Sequence, residues 1–172
     1  MNGRFSAEWI GKMAKQALLE EVYTAPKPGL VDPYSNGAHD DMDLALFEKS
    51  AACLESYFAE MARLGMEYWD EQELLFQKIR RVGIQAEKAM FQVTDGVNTH
   101  KGAIFTLGIL AAAAGACLER DETLSFDAWM VMEQEMVSRT LMEEIRELSG
   151  RKVPESHGHR NLIMHEIGRA HV

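Results

Sequence analysis

Residues 102–118 read GAIFTLGILAAAAGACL, a run without a single charge. Its apolar residues cover the whole helical circumference instead of one stripe, the pattern of a helix buried on every side. The run is short for a membrane span and carries Thr106 and two internal glycines. Gly108 and Gly115 stand seven apart and share a face with Ala111 to Ala114, so a neighbouring backbone can approach closely there. A central helix over about 102–118 predicts an all-α fold, a single-domain helical bundle built round this buried element.

The residues just upstream, TDGVNTHK at 94–101, are turn formers, caps and potential ligands. Asp95-Gly96 is a turn signal, and Asn98 or Thr99 is a good N-cap for the central helix. His100 and Lys101 then fall in its first turn, where the helix dipole opposes cations. Cations make sense there if an anion sits in front of the helix, held by open N–H groups and the lysine together. The plainer alternative is a solvated Lys101, at a cost of about a few tenths of a kcal/mol.

Periodicity places helices on either side. Ser6 caps a first helix to about Tyr23, with Ile10, Met13, Ala14, Ala17, Leu18 and Val22 on one face. A second, Leu44 to Leu64, buries Phe47, Ala51, Leu54, Phe58 and Met61. A third, about Glu71 to Val93, buries Leu75, Ile79, Val82, Ala86 and Ala89. Gly83 interrupts it at about 1 kcal/mol, which implies close packing or a kink. Glu87 sits near its C-terminal end, where the dipole disfavours a carboxylate and a metal or cationic partner would suit it. A fifth helix, about Ser125 to Leu148, carries Met130, Val137, Leu141, Ile145 and Leu148. A linker, Ser149 to Glu155, and a partial sixth segment close the chain.

Between the first two helices lies TAPKPGLVDPYSNGAHDDMD, Thr24 to Asp43. Its prolines forbid a regular helix. Structureless loops of this length inside a compact domain are functional or disordered. This one carries Lys27, Asp32, Asn36, His39, Asp40, Asp41 and Asp43, so an ordered, ligand-lining loop is expected. Asp41 or Asp43 also caps the next helix.

The net charge of −9 argues against duplex DNA, RNA or an anionic membrane as partners. Cys53 and Cys117 lie inside apolar patterns and read as small buried hydrophobes in a reducing compartment, which predicts a cytoplasmic protein. No apolar signal-peptide core opens the chain.

Two stretches, Thr24–Asp43 and GIQAEKAMFQVTDGVNTHKGAIFTLG at Gly83–Gly108, resemble the triphosphoribosyl-dephospho-CoA synthase family. The family pattern runs close to T-P-K-P-G-L-V-D, N-G-A-H-x-D-M-D, G-x-x-A-E-x-x-M and T-x-G-V-N-T-H-K-G-A-I-F. The departures are Ala25, between Thr24 and Pro26, and Asp95 at an open position. The resemblance implies transfer of a triphosphoribosyl group from ATP to the ribose 2′-hydroxyl of 3′-dephospho-CoA, with release of adenine. It implies Mg²⁺ with ATP, and a product passed by a separate transferase to an acyl carrier protein of citrate lyase or malonate decarboxylase. Such chemistry needs a base, carboxylates to stabilise oxocarbenium-like charge, and cations for the phosphates. On that basis Lys27, His100 and Lys101 are expected to bind phosphate. Asn36, His39 and Asn98 are expected to hydrogen-bond ribose or phosphate. Asp32, Asp41 and Glu87 are the catalytic candidates, and Asp41, Asp43 and Glu87 the metal candidates.

The family continues beyond this length, so the domain is expected to be incomplete at its C-terminus, with native sequence over 1–165. Residues 166–172, EIGRAHV, match a translated sequencing adapter and are expected to be foreign. A metal-dependent helical phosphohydrolase is the alternative, suggested by His39-Asp40, but no second histidine precedes position 39. A helical interaction module without chemistry leaves the ligand-rich loops unexplained.

Overall fold

The computed structural model describes residues 5–121 and 125–149, with side chains over 5–120 and 125–138. The described chain is five helices: α1 Ala7–Tyr23, α2 Leu44–Glu67, α3 Gln72–Val93, α4 Lys101–Asp121 and α5 Phe126–Ser149. The one β-type pairing among the described residues is an isolated bridge between Asp32 and Ser35. The all-α expectation therefore holds. The expected sixth segment, the linker beyond Ser149 and the tail 166–172 lie outside the described residues, as do the side chains of Leu141, Ile145 and Leu148.

α1 and α2 start on side-chain caps, whereas α3 starts at Glu71 without one. Ser6 accepts the Trp9 N–H and Asp43 accepts the Leu46 N–H, each satisfying one free donor of a first turn. The core is formed by Leu54, Phe58 and Met61 of α2, Leu75, Phe76 and Met90 of α3, and Ile104 and Ala111–Cys117 of α4.

The bundle is organised on the α2–α4 contact. A Cβ added to Gly65 would lie 2.0 Å from the Ala112 carbonyl oxygen, and one on Gly115 would lie 2.1 Å from that of Ala62. Both distances are inside van der Waals contact, so only glycine permits this approach. Gly115 thus has the role its spacing suggested, and Gly65 is its unpredicted counterpart. Gly108 faces the Met61 side chain. Gly83 is neither tightly packed nor at a break: α3 is continuous, and a Cβ there would meet only Met61, at 3.7 Å.

Two faces differ from expectation. On α1, Ala7, Ile10, Gly11, Leu18 and Val22 are buried, while Met13 and Ala17 are exposed. Gly11 turns the face, since α2 passes close enough that an added Cβ would meet the Glu55 carbonyl oxygen at 2.6 Å. On α5, Met132 and Met136 are fully buried, in place of the expected Met130 and Val137, which are half-buried. Trp129 sets that register, donating its indole N–H to the Leu110 carbonyl at 2.7 Å.

α4 is enclosed from its middle to its last turns, where Ala111–Cys117 are buried. Its first turns are not: Lys101, Gly102, Phe105 and Thr106 are exposed. This corrects the expectation of a helix buried on every side from its first residue. Residues Lys101–Arg120 are long and apolar enough by composition to cross a membrane, and here they pack against the other four helices.

Candidate functional site

Helix directions bring the sequence motifs to one end of the bundle. α1 and α2 are antiparallel, since Gly11 meets Ala59 and the Tyr23 hydroxyl meets the Glu48 carboxylate. α2 and α4 are parallel, with Ser50 beside Thr99 and His100 and Gly65 beside Ala112. α3 runs back along α4, pairing Glu87 with Lys101. The C-terminal ends of α1 and α3, the N-terminal ends of α2 and α4, and the loops 24–43 and 94–100 therefore share one end.

Asp32 shapes the first loop. It is 7% exposed, and its carboxylate accepts the backbone N–H groups of Lys27 (3.1 Å), Tyr34 (2.9 Å) and Ser35 (3.0 Å). The Lys27 N–H first, then those of Tyr34 and Ser35, hold its carboxyl below the usual carboxylate range against the opposing effect of burial. A carboxylate held below its usual range is a weaker base, and these three bonds tie Asp32 to the fold of the loop. Gly37, at φ 61°, closes the same loop against Gly29, with the Ala38 N–H donating to the Gly29 carbonyl at 3.2 Å. Lys27 Nζ donates to both the carbonyl and the carboxylate of Glu21, each at 2.9 Å. Asp43 is committed as the α2 cap through one oxygen. His39 Nδ1 lies 4.0 Å from the Asp41 carboxylate, and Asn36 is exposed. The loop tip offers Leu30 and Tyr34 to solvent, the latter 88% exposed.

The second loop is tied by Thr94, a buried residue that sequence reasoning missed. Its hydroxyl lies 2.8 Å from the Met90 carbonyl oxygen and 2.6 Å from that of Val97. Asp95 (φ 52°) and Gly96 (φ 89°) make the left-handed turn that their dipeptide signals. Asn98 Oδ1 accepts the Lys101 N–H at 3.1 Å and so caps α4, as expected of it.

Past that cap the two basic residues diverge, because successive helical residues point about 100° apart. Lys101 turns to α3 and pairs with Glu87 at 2.8 Å, with side chains 55% and 33% exposed. His100 turns to α2. Its Nδ1 lies 2.7 Å from Ser50 Oγ, and the Phe47 ring packs edge-on at 5.1 Å. Burial pushes its pKa down to about 4, opposed by the Glu21 carboxylate. His100 is therefore neutral near pH 7, and the expectation of two cations side by side in the first turn is corrected to one, Lys101. The Nε2 of His100 is buried and has no hydrogen-bond partner among the described residues.

No hydrogen bond or ion pair among the described residues joins His39 or Asp41 to His100 or Lys101. The first loop is linked to the α4 end through Lys27 and Glu21, whose carboxylate acts on His100 through space. Ser50, Phe47 and Glu21 were not legible as site residues. Ser50 adjoins the buried stripe of α2 at Ala51, where a hydroxyl reads as a solvated edge position.

Between α3 and α4 the Lys101–Glu87 pair edges a cavity of about 250 Å³. Met61, Ile79, Gly83, Ile84, Ile104 and Phe105 line it. The described residues bring no three His, Cys, Asp or Glu side chains together to hold a metal ion. Asp41, Asp43 and Glu87 thus form no ready-made metal cluster, and the phosphohydrolase alternative has no metal centre among the described residues. Mg²⁺ that keeps its waters and rests on substrate phosphates needs only one or two carboxylates.

The family model described as CitG, ATP:dephospho-CoA triphosphoribosyl transferase, matches residues 7–162. The chain belongs to this family. It is 44% identical over 117 residues to the 2-(5''-triphosphoribosyl)-3'-dephosphocoenzyme-A synthase of Haemophilus ducreyi, covering 67% of this chain and 36% of that one. It is 44% identical over 148 residues to a protein of Acinetobacter calcoaceticus named a probable synthase of the same kind, covering 86% and 47%. It is 49% identical over 114 residues to the protein CitXG of Haemophilus influenzae, covering 65% and 24%. The chain spans less than half the length of these curated relatives. No solved structure matches it. Both loops and the α4 N-terminus fall inside the CitG match, so the end of the bundle described above is family territory.

Proposed function

We propose that this chain carries nucleotide-binding machinery of a triphosphoribosyl-dephospho-CoA synthase. In that reaction the 2′-oxygen of 3′-dephospho-CoA bonds to the ribose anomeric carbon of ATP. The bond to the adenine nitrogen breaks, adenine leaves with the electron pair, and the hydroxyl proton passes to a base. The triphosphate stays on the transferred ribose. One observation supports the reading most: both ligand-rich loops lie at the end of the bundle that holds the N-terminus of α4, where Lys101 places a cation at the positive end of the helix.

Lys101 and the open N–H groups beside it suit the triphosphate, which would take Lys101 from Glu87. Lys27 is the second cation at this end. Asn36, His39 and Asn98 supply hydrogen-bonding groups for ribose or phosphate. Asp41 and Glu87, with Asp32 and the second oxygen of Asp43, are the carboxylates for the proton and for Mg²⁺ accompanying ATP. Mg²⁺ there supplies charge neutralisation for the phosphates. We further read the protein as cytoplasmic, its product going by a separate transferase to the acyl carrier protein of citrate lyase or malonate decarboxylase, with no nucleic-acid or membrane partner.

The test follows adenine by chromatography, using ATP, Mg²⁺ and 3′-dephospho-CoA with a protein of the relatives' length that carries this sequence. Adenine release only when both nucleotides are present is expected. Release of phosphate with adenine still attached would put the protein among phosphohydrolases and overturn the reading.

A further inference from the structure

Beneath the α4 N-terminus lies a chain of three polar side chains that the proposed reaction does not yet use. Thr99 Oγ1 donates to Ser50 Oγ at 2.7 Å, and Ser50 Oγ lies 2.7 Å from His100 Nδ1. Ser50 is fully buried. A hydroxyl has one hydrogen and two acceptor sites. In the direction Thr99 to Ser50 the hydrogen of Ser50 goes to Nδ1, its other polar neighbour; the reverse direction would leave the Thr99 hydrogen without an acceptor among the described residues. An imidazole that accepts at Nδ1 and is neutral must carry its proton on Nε2. That nitrogen is buried, on a side chain of a residue 6% exposed, and has no partner among the described residues. An unpaired buried donor is rare and costly, and it persists where something outside the chain completes it.

We propose that Thr99 and Ser50 are positioning residues that hold His100 in its Nε2–H form, presenting an uncharged N–H donor to an oxygen of a bound adenine nucleotide. The inference rests on the nucleotide-binding reading above. An uncharged donor suits this place. A cationic histidine there would face the positive end of α4 and pay desolvation, whereas a neutral one keeps direction without charge. The donor is distinct from Lys101: one residue serves the α2 side of the helix end and the other the α3 side. Phe47, edge-on to the ring, keeps the imidazole plane fixed.

The experiment is a two-bond ¹H–¹⁵N correlation of the histidine rings in the ¹⁵N-labelled 172-residue chain near pH 7. His100 is assigned by loss of its signal in His100→Gln. The expected spectrum has a protonated Nε2 and an unprotonated Nδ1. A protonated Nδ1 would overturn the proposal. Thr99→Val keeps the shape and removes the donor to Ser50, so a mixture of the two tautomers is expected. Thr99→Ser, which restores the hydroxyl, should return the wild-type pattern. An unchanged pattern in Thr99→Val would show that the relay fixes nothing.

The second arm adds ATP with Mg²⁺, or 3′-dephospho-CoA, each alone, to a protein of the relatives' length that carries this sequence. A change at Nε2 with one of them is expected and names which nucleotide supplies the oxygen. In Thr99→Val that nucleotide should bind about three- to tenfold more weakly, the worth of one neutral hydrogen bond. If both nucleotides bind and neither moves Nε2, the donor role is overturned while the nucleotide-binding reading stands. If neither binds, it is the nucleotide-binding reading that fails, and the donor role falls with it.

Discussion

His100 is a base whose surroundings keep it uncharged, and this ties the stability of the fold to pH. Its pKa is about 4 in the folded chain and near 6.5 when exposed. Between these values the unfolded chain takes up a proton that the folded chain refuses. Stability is therefore independent of this group above about pH 6.5, falls as pH drops through the window, and levels off below about 4. From pH 7 to 5 the loss is roughly 2 kcal/mol. Urea unfolding of wild type and His100→Gln at both pH values measures it: the variant should lose less over the same interval by about that amount. Parallel losses would mean that His100 titrates normally. Lys101 makes the opposite case. Its pair with Glu87 is largely solvated, and such pairs contribute about 0–1 kcal/mol. Lys101→Met should leave the melting temperature nearly unchanged. Hydrogen bonds to charged groups contribute about 1.5–3 kcal/mol, so ATP affinity in a family-length protein should fall by roughly ten- to a hundredfold. Wild-type ATP affinity with a lowered melting temperature would defeat the anion-site reading of the helix end.

At the scale of helices, stability is concentrated in the glycine contacts between α2 and α4. Gly115→Ala places a methyl group 2.1 Å from the Ala62 carbonyl oxygen, and Gly65→Ala places one 2.0 Å from that of Ala112. Backbone cannot rotate aside as a side chain can, so each change should destabilise by about 3 kcal/mol, the upper part of the usual overpacking range. Gly83→Ala, with only Met61 at 3.7 Å, is the control and should be neutral or slightly stabilising through helix propensity. Thermal unfolding of the three variants separates them; a Gly83 variant as damaged as the other two would contradict the packing. These glycines also show what the sequence can disclose. Gly115 sits in an apolar, small-residue run, and that context announces close approach. Gly65 and Gly11 sit among ordinary helix residues, and only the partner helix reveals why they are small. The face of α1 was misjudged for the same reason: periodicity weighs apolar residues, whereas Gly11 buries backbone. The caps at Ser6, Asn98 and Asp43 were readable because a cap is a local hydrogen bond, complete within four residues.

For the whole molecule, the loops rich in ligand-type residues gather at one end, and the glycine contacts of α2 and α4 lie toward the other. Membership of the site end was legible, because loops rich in prolines and ligand-type residues stand out between apolar helices. Roles within it were not. Asp32 looks like a ligand in sequence, and in the structure it also accepts three backbone N–H groups of its own loop, because a side-chain oxygen near free N–H groups bonds them. The divergence of His100 and Lys101 followed only from where α2 and α3 lie. This division of labour predicts how hydrogen exchange responds to nucleotide. Amides of the α2–α4 contact should exchange only through global unfolding and be the slowest, while those of 24–43 and 94–101 open locally. A ligand that binds the folded state slows global exchange everywhere by one common factor, RT ln(1 + [L]/Kd) in free energy. ATP with Mg²⁺ should add a further slowing confined to the two loops, since only there does it close local openings. Exchange measured by mass spectrometry with and without ATP reads both parts. Extra protection at the far end, near Gly65 and Ala112, would place the nucleotide on the wrong end of the bundle and remove the structural basis for the site.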